Sequence, residues 1–188
     1  MAFSAYLLRN PAEYYPVRIA LAEYAMKKTP PDYEFSRQML DAVIAGATDV
    51  ERVFQAKLQK ARYAYQLDNR VNARSAFEAL LLEYPSRDGT EIVLYYLGRL
   101  ALKDGDKERA LRYFDSASMG VIWNSQLQIA NYMAARLLGE MRDKTAAIER
   151  YRKLDNEETD APIRVATLVR HADLLWGEGF RRRALDKY

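Results

Sequence analysis

Arginine recurs along this chain at a constant spacing, and each arginine shares a helical face with apolar or aromatic side chains. Arg62, Arg99 and Arg136 are 37 residues apart, and the residues four positions before them lie on the same side of a helix. Guanidinium groups form forked, charge-assisted hydrogen bonds with carboxylates or phosphates, and aromatic rings add apolar contact. The full set is Leu58, Arg62, Tyr65, Tyr95, Arg99, Tyr132 and Arg136. These residue types predict a surface that binds an acidic protein or peptide segment.

A second interpretation of the same residues stays open. Repeated arginines are also typical of solvated helix surfaces, where they pair with neighbouring carboxylates, and the tyrosines could belong partly to the core. In the last unit Val169 continues the tyrosine row and Asp173 replaces the arginine.

Catalytic and metal-binding residues are scarce. The chain has no cysteine and one histidine, His171, for which we expect a structural or surface role. Residues 104–108 resemble the start of a calcium loop, but the later positions lack ligand oxygens, so they are interpreted as a turn. No glycine-rich phosphate loop or nucleophile motif is present. We therefore expect no enzyme activity, no cofactor and no metal site.

The charge balance excludes several partner classes. The 188 residues carry 29 basic and 26 acidic side chains, a net charge of +3, which is too small to indicate nucleic acid. The basic run at 181–183 and the acidic run at 157–160 are interpreted as solvated helix starts and connections. No apolar run reaches the length of a membrane-spanning helix, so no membrane insertion is expected.

Small and aromatic residues recur with the same 37-residue spacing. Close helix packing requires small side chains, and an aromatic residue four positions after a small one fills the adjacent space. The first small series is Ala61, Gly98, Ala135 and Ala172; the second is Ala73, Ala110, Ala147 and Ala184; the aromatic series is Phe77, Phe114, Tyr151 and Tyr188. Three series with one period predict a repeat protein.

Short polar breaks between the two small series predict tight turns between antiparallel helices. The breaks are residues 67–69, 103–106, 141–143 and 178–180. Each repeat is therefore predicted to be a helical hairpin. Asp88, Asn124 and either Asp160 or Ala161 are predicted to cap the first helices, with Pro162 in a first turn.

Residues 95–98, followed by Gly105-Asp106 and residues 110–114, resemble the tetratricopeptide repeat (TPR) family. The resemblance implies an all-α solenoid of antiparallel hairpins in a right-handed superhelix of about nine or ten helices. In that family the first helices line a concave groove, which the arginine row would face. The period exceeds the usual 34 residues, so long first helices are expected. The spacing also resembles bacterial envelope members of the family, which favours the periplasm, although a cytoplasmic location stays open.

The predicted organisation is one continuous solenoid. Residues 1–50 form a degenerate or capping hairpin, and four repeats span 51–87, 88–124, 125–161 and a truncated 162–188. The uncapped final helix predicts that the chain is cut from a longer protein. Helices are also expected at 11–28 and 32–44.

The predicted function is a protein-interaction adaptor or scaffold that binds its partner in the concave groove. The alternative is a structural spacer or self-associating segment of a larger bacterial envelope assembly or export protein, which makes a homo-oligomer one expected state. The same fold serves many unrelated partners, so the partner does not follow from the repeats alone.

Overall fold

The computed structural model describes residues 14–85, 87–119, 125–156 and 158–187, and all regular structure within these ranges is α-helical. The ten helices are α1 (Tyr15–Lys27), α2 (Tyr33–Gly46), α3 (Val50–Gln66), α4 (Arg70–Glu83), α5 (Thr90–Lys103), α6 (Lys107–Ala117), α7 (Ser125–Glu140), α8 (Lys144–Leu154), α9 (Ala161–Gly177) and α10 (Arg181–Leu185). The predicted all-α class and helix count are confirmed. Among these ten, none combines the length and apolar character needed to cross a bilayer.

The chain divides into two compact units, residues 1–85 and residues 86–188. The first unit contains α1 to α4. Consecutive helices pack against each other, and α1 also contacts α3. Its core includes Tyr15, Ala22, Leu40, Val43 and Ala56, all buried. This unit therefore consists of two stacked helical hairpins.

The second unit contains α5 to α10 and repeats the same packing pattern. Consecutive helices pack together, and α7 contacts both α5 and α9. One core cluster joins α5, α6 and α7, and a smaller one joins α7 to α8 through Ala135, Ala147 and Tyr151. The predicted repeat boundaries stay predictions.

Each of the last four hairpins turns through one residue in the left-handed backbone conformation. Asp68, Gly105, Arg142 and Gly179 have φ values of 53°, 81°, 69° and 83°, and they are 37 residues apart. In three of the four turns, the residue after the left-handed one caps the second helix of the hairpin. The side chains of Asn69, Asp106 and Asp143 each accept a hydrogen bond from the backbone N–H of the residue three positions later. The predicted turns therefore lie where the sequence placed them.

The start of α5 differs from the prediction. Gly89, not Asp88, is the N-cap residue. The Glu91 carboxylate accepts a hydrogen bond from the Gly89 N–H at 3.0 Å, and the Thr90 hydroxyl donates to the Arg87 carbonyl at 2.6 Å. These bonds form a turn that delays the helix by one residue. Asp160 is the N-cap residue of α9 as predicted, and Asn124 lies outside the described residues.

The predicted small residues form the contacts between helices. Ala61, Ala135 and Ala172 have no exposed surface, Gly98 is also buried, and the same is true of the four alanines of the second series. Phe77 and Phe114 are fully buried and Tyr151 is 3% exposed, whereas Tyr188 lies outside the described residues. The alternation of small and aromatic residues thus sets how closely the helices of each hairpin approach.

Candidate partner-binding site

Helix α5 presents an arginine whose position is set by a tyrosine one turn earlier. Arg99 Nη1 donates a hydrogen bond to the Tyr95 hydroxyl at 2.7 Å, and its guanidinium carbon lies 5.7 Å from the centre of the Tyr95 ring. Both residues are half-buried. The Tyr95 ring in turn packs against Phe114, with ring centres 6.1 Å apart. The core therefore orients the tyrosine, and the tyrosine orients the arginine.

Helix α7 carries the equivalent pair, Tyr132 and Arg136, in a different arrangement. The Tyr132 ring packs 6.2 Å from the ring of Tyr151 on α8. Arg136 Nε lies 3.6 Å from Glu140 Oε1, which is an ion pair at a distance too long for a hydrogen bond. This Nε is buried and has no hydrogen-bond acceptor within the described part of the chain. The Arg136 side chain as a whole is 37% exposed, so a ligand can reach its guanidinium group.

Arg136 borders a cavity of about 290 Å³ between α7, α8 and α9. Its walls combine arginines, carboxylates, one tyrosine and small apolar surfaces. The lining residues are Arg136, Gly139, Glu140, Tyr151, Arg170, Asp173 and Leu174.

Electrostatics set the protonation of the groups around this cavity. Burial, aided by the nearby Tyr132, raises the pKa of Tyr151 to about 12, so its phenol stays neutral. Glu140 accepts a hydrogen bond from Lys107 at 2.8 Å, and this bond, together with Lys107, Arg136 and Arg170, lowers the Glu140 pKa. The carboxylate is thus ionised and already paired.

In the first unit the predicted binding residues are arranged less favourably for contact with a ligand. Leu58 is only 7% exposed, so its side chain belongs mainly to the packing of α3. Arg62 and Tyr65 are half-buried. Arg62 borders a cavity of about 220 Å³, whose other walls include Glu23, Gln59 and Gln66. Lys27 also lines this cavity, so Arg62 shares it with one acidic, one basic and two amide side chains.

The two tyrosines predicted to bind a partner in the second unit, Tyr95 and Tyr132, also contribute to the core. Tyr95 and Tyr132 pack against the buried cluster that includes Phe114, Ala134 and Leu137. This packing agrees with the interpretation in which the tyrosines are partly core. The hydroxyl of Tyr95 still reaches Arg99, so the residue serves both purposes.

Arg170 and Glu140 border the α7–α9 cavity, and sequence reasoning did not select them. Arg170 stands 37 and 74 residues after Met133 and Tyr96, and the apolar or aromatic side chains of those two residues make this repeat position resemble core. The charge of the Arg170 side chain was the signal in the sequence against that interpretation. Glu140 follows Arg136 by four residues, and that spacing predicts an ion pair.

His171 is buried, with 2% of its surface exposed, and its ring stacks on Tyr151 at 6.1 Å. Burial lowers its pKa, and the nearby Lys187 adds to this effect. Its environment is that of a packing residue. In the described ranges no cluster of three histidine, cysteine or carboxylate side chains is arranged to hold a metal ion.

Comparison with known proteins bears on the fold. Residues 93–117 match the family model of the tetratricopeptide repeat. No curated protein matches the sequence. One similar solved structure contains nearly identical TPR-like repeats from a Podosopora anserina protein described as a kinesin light chain, in a form with a single substitution. It superposes on this chain with a TM-score of 0.67 at 13% identity. That match covers 95% of this chain and 92% of the other.

The MamA protein is a second structural neighbour. Its crystal structure superposes with a TM-score of 0.65 at 15% identity, over 93% of this chain and 88% of MamA. These identities are low, so the two structures inform the fold alone. The family match lies within α5 and α6, and the two solved structures share the helical-hairpin fold of this chain.

Proposed function

We propose that this chain is an interaction adaptor that binds an acidic segment of a protein partner along the first helices of its second unit. Proteins of this repeat family are typically non-enzymatic scaffolds whose partners are proteins. The observation that carries the proposal is the state of the two arginines. Arg99 is oriented by Tyr95, and the partly exposed Arg136 side chain borders a cavity.

The charges around this surface favour an acidic ligand. Two arginines, Arg136 and Arg170, and two carboxylates, Glu140 and Asp173, line the α7–α9 cavity, and Lys107 from outside the lining pairs with Glu140. A peptide carboxylate could accept hydrogen bonds from arginine in the forked geometry that such pairs prefer. The neighbouring tyrosines would contact apolar side chains between the acidic residues.

The proposal is tested by measuring the affinity of labelled acidic peptides for the protein with Arg99→Glu and Arg136→Glu combined. We expect the peptides that bind the native chain to lose at least tenfold in affinity. Circular dichroism should show unchanged helix content, since both side chains are half-buried and not part of the core.

A matched control is available on the second helices. Arg112 on α6 and Arg152 on α8 are exposed, and replacing both by glutamate changes the net charge by the same amount. The control variant should retain most of the affinity. If both variants lose binding equally, general charge attraction explains the affinity and the assignment to the first helices is wrong.

Self-association is a second candidate function, favoured by exposed apolar side chains on α9. Val165, Val169 and Trp176 share one face of this helix and are 61%, 46% and 49% exposed. Such a face could pack against another copy of the chain. Sedimentation over a concentration series distinguishes the candidates. A monomer at all concentrations excludes self-association, whereas a dimer that Trp176→Glu dissociates favours it.

A further inference from the structure

In the second unit, ion pairs connect neighbouring second helices. Arg150 on α8 contacts Asp115 on α6 at 2.5 Å, and Lys187, just after α10, pairs with Asp155 at the end of α8. Long cationic side chains therefore occupy the space between adjacent second helices. The aliphatic stems of these side chains occupy the space between the helices, and their charged ends form the ion pairs.

In the first unit the equivalent cation is missing. Ala76 on α4 and Asp41 on α2 precede Arg150 and Asp115 by 74 residues, which is two repeats of 37. Asp41 keeps the carboxylate that Asp115 provides in the second unit, but the Ala76 side chain is too short to reach Asp41. Lys60 at 2.6 Å and Arg37 at 3.2 Å pair with Asp41 instead.

A cavity of about 440 Å³ lies beside Ala76. Small-molecule sites in proteins span about 300–1,000 Å³, so the space is large enough for a whole side chain or a small ligand. Its apolar walls come from all four helices of the unit and the turn after α3. They are Met26, Tyr33, Tyr63, Ala64, Leu67 and Ala76.

The charged side chains at this cavity already have partners. Arg37 contacts Glu34 at 2.6 Å, and both Arg37 and Lys60 contact Asp41. Burial raises the pKa of Tyr63, so its phenol stays neutral. A charged ligand would lose hydration here without gaining an unpaired opposite charge. The cavity therefore favours an uncharged occupant.

We propose that this cavity binds an aromatic side chain of a protein partner, as a second docking point separate from the arginine surface. Tyr33 and Tyr63 can pack edge-to-face with an aromatic ring, and the Met26 sulfur favours contact with one. The planar ring would lie beside Ala76, whose short side chain leaves this space open. This site does not depend on Arg99 or Arg136.

The test uses a capped pentapeptide with tryptophan at its centre and glycine and serine on both sides. Backbone NMR signals of Tyr63, Ala64 and Leu67 are followed during titration of the full chain. We expect saturable shifts at these three residues. The same peptide with glutamate at its centre should bind at least tenfold more weakly.

Ala76→Arg places a long side chain at the cavity wall and should fill the cavity, which weakens tryptophan-peptide binding at least tenfold. Ala79→Arg places the same side chain on the exposed side of α4 and should leave binding unchanged. Ala76→Leu fills the cavity without adding charge and serves if the arginine variant does not fold. The proposal is overturned if the native chain shows no saturable shifts, if the glutamate peptide binds as tightly, or if the filled variants bind normally.

Discussion

A methyl group on Gly98 would lie 2.7 Å from Cε1 of Phe114 and 2.9 Å from two other atoms of the same ring. The Phe114 ring is fully buried, so it cannot move aside without disturbing the packing of α5 on α6. The glycine of the small series is thus required by its aromatic partner in the same hairpin.

Replacing Gly98 by alanine should lower the free energy of unfolding by about 1–2 kcal/mol. Overpacking a core costs about 1–3 kcal/mol, and the better helix propensity of alanine returns up to about 1 kcal/mol. Gly139→Ala is the control, because its methyl group would lie 3.9 Å from the Ala147 Cβ, an ordinary contact. That variant should be neutral or slightly more stable. Urea unfolding of both proteins measures the difference, and equal effects would show that the Phe114 contact is unimportant.

The repeat spacing explains why much of the fold was predictable. Small residues, aromatic residues and turns each recur at equivalent positions, so one repeat predicts the others. The α7–α9 cavity and the first-unit cavity were not predictable. Such cavities depend on the length of the side chains between the helices. Ala76 and Arg150 occupy equivalent repeat positions, but Arg150 reaches Asp115 on another helix, whereas the short Ala76 borders a cavity.

The candidate site was partly predictable for a related reason. Helical spacing paired Tyr95 with Arg99 correctly, because residues four apart face each other on a helix. The same spacing could not reveal that Leu58 is buried, since burial depends on neighbouring helices. The start of α5 was displaced by the hydrogen bond that the Thr90 hydroxyl donates and the one that the Glu91 carboxylate accepts, and no capping pattern indicated either bond.

Arg142 should be a strained residue in its turn. Its φ of 69° is left-handed, whereas the equivalent Gly105 adopts φ 81° without a side-chain penalty. Arg142→Gly should therefore raise the free energy of unfolding by about 0.5–1 kcal/mol, and Gly105→Ala should lower it by about 1 kcal/mol. Thermal and urea unfolding test both changes. Shifts of the same sign in the two variants would refute the explanation.

Stability should depend on pH through His171. Burial lowers its folded-state pKa below the ordinary value of 6.5, so the unfolded chain binds a proton at a higher pH than the folded one. The free energy of unfolding should then fall as the pH drops below about 6.5, by no more than about 1.4 kcal/mol per pH unit. His171 is the only histidine in the chain. Urea unfolding between pH 7.5 and 5.5 should show a slope in the native protein that His171→Leu removes.

The hydrogen bond from Arg99 to Tyr95 should matter for binding more than for stability. Tyr95→Phe removes the hydroxyl and should weaken binding of an acidic peptide by about three- to tenfold, the effect of one lost hydrogen bond. Helix α6 supplies a control, because Arg109 donates to the Tyr113 hydroxyl at 3.3 Å in a similar pair. Tyr113→Phe should leave the affinity unchanged. Peptide titration by fluorescence anisotropy decides, and equal losses in both variants would contradict the role of Tyr95.

We propose that the arginines of the first helices contact the acidic partner. The Nε–Hε NMR signals of the arginine side chains, recorded while an acidic peptide is added, test this contact. We expect saturable shifts for Arg99 and Arg136 and unchanged signals for Arg112 and Arg152 on the second helices. Unmoved signals from Arg99 and Arg136 in the presence of a bound peptide, or larger shifts on the second helices, would contradict it.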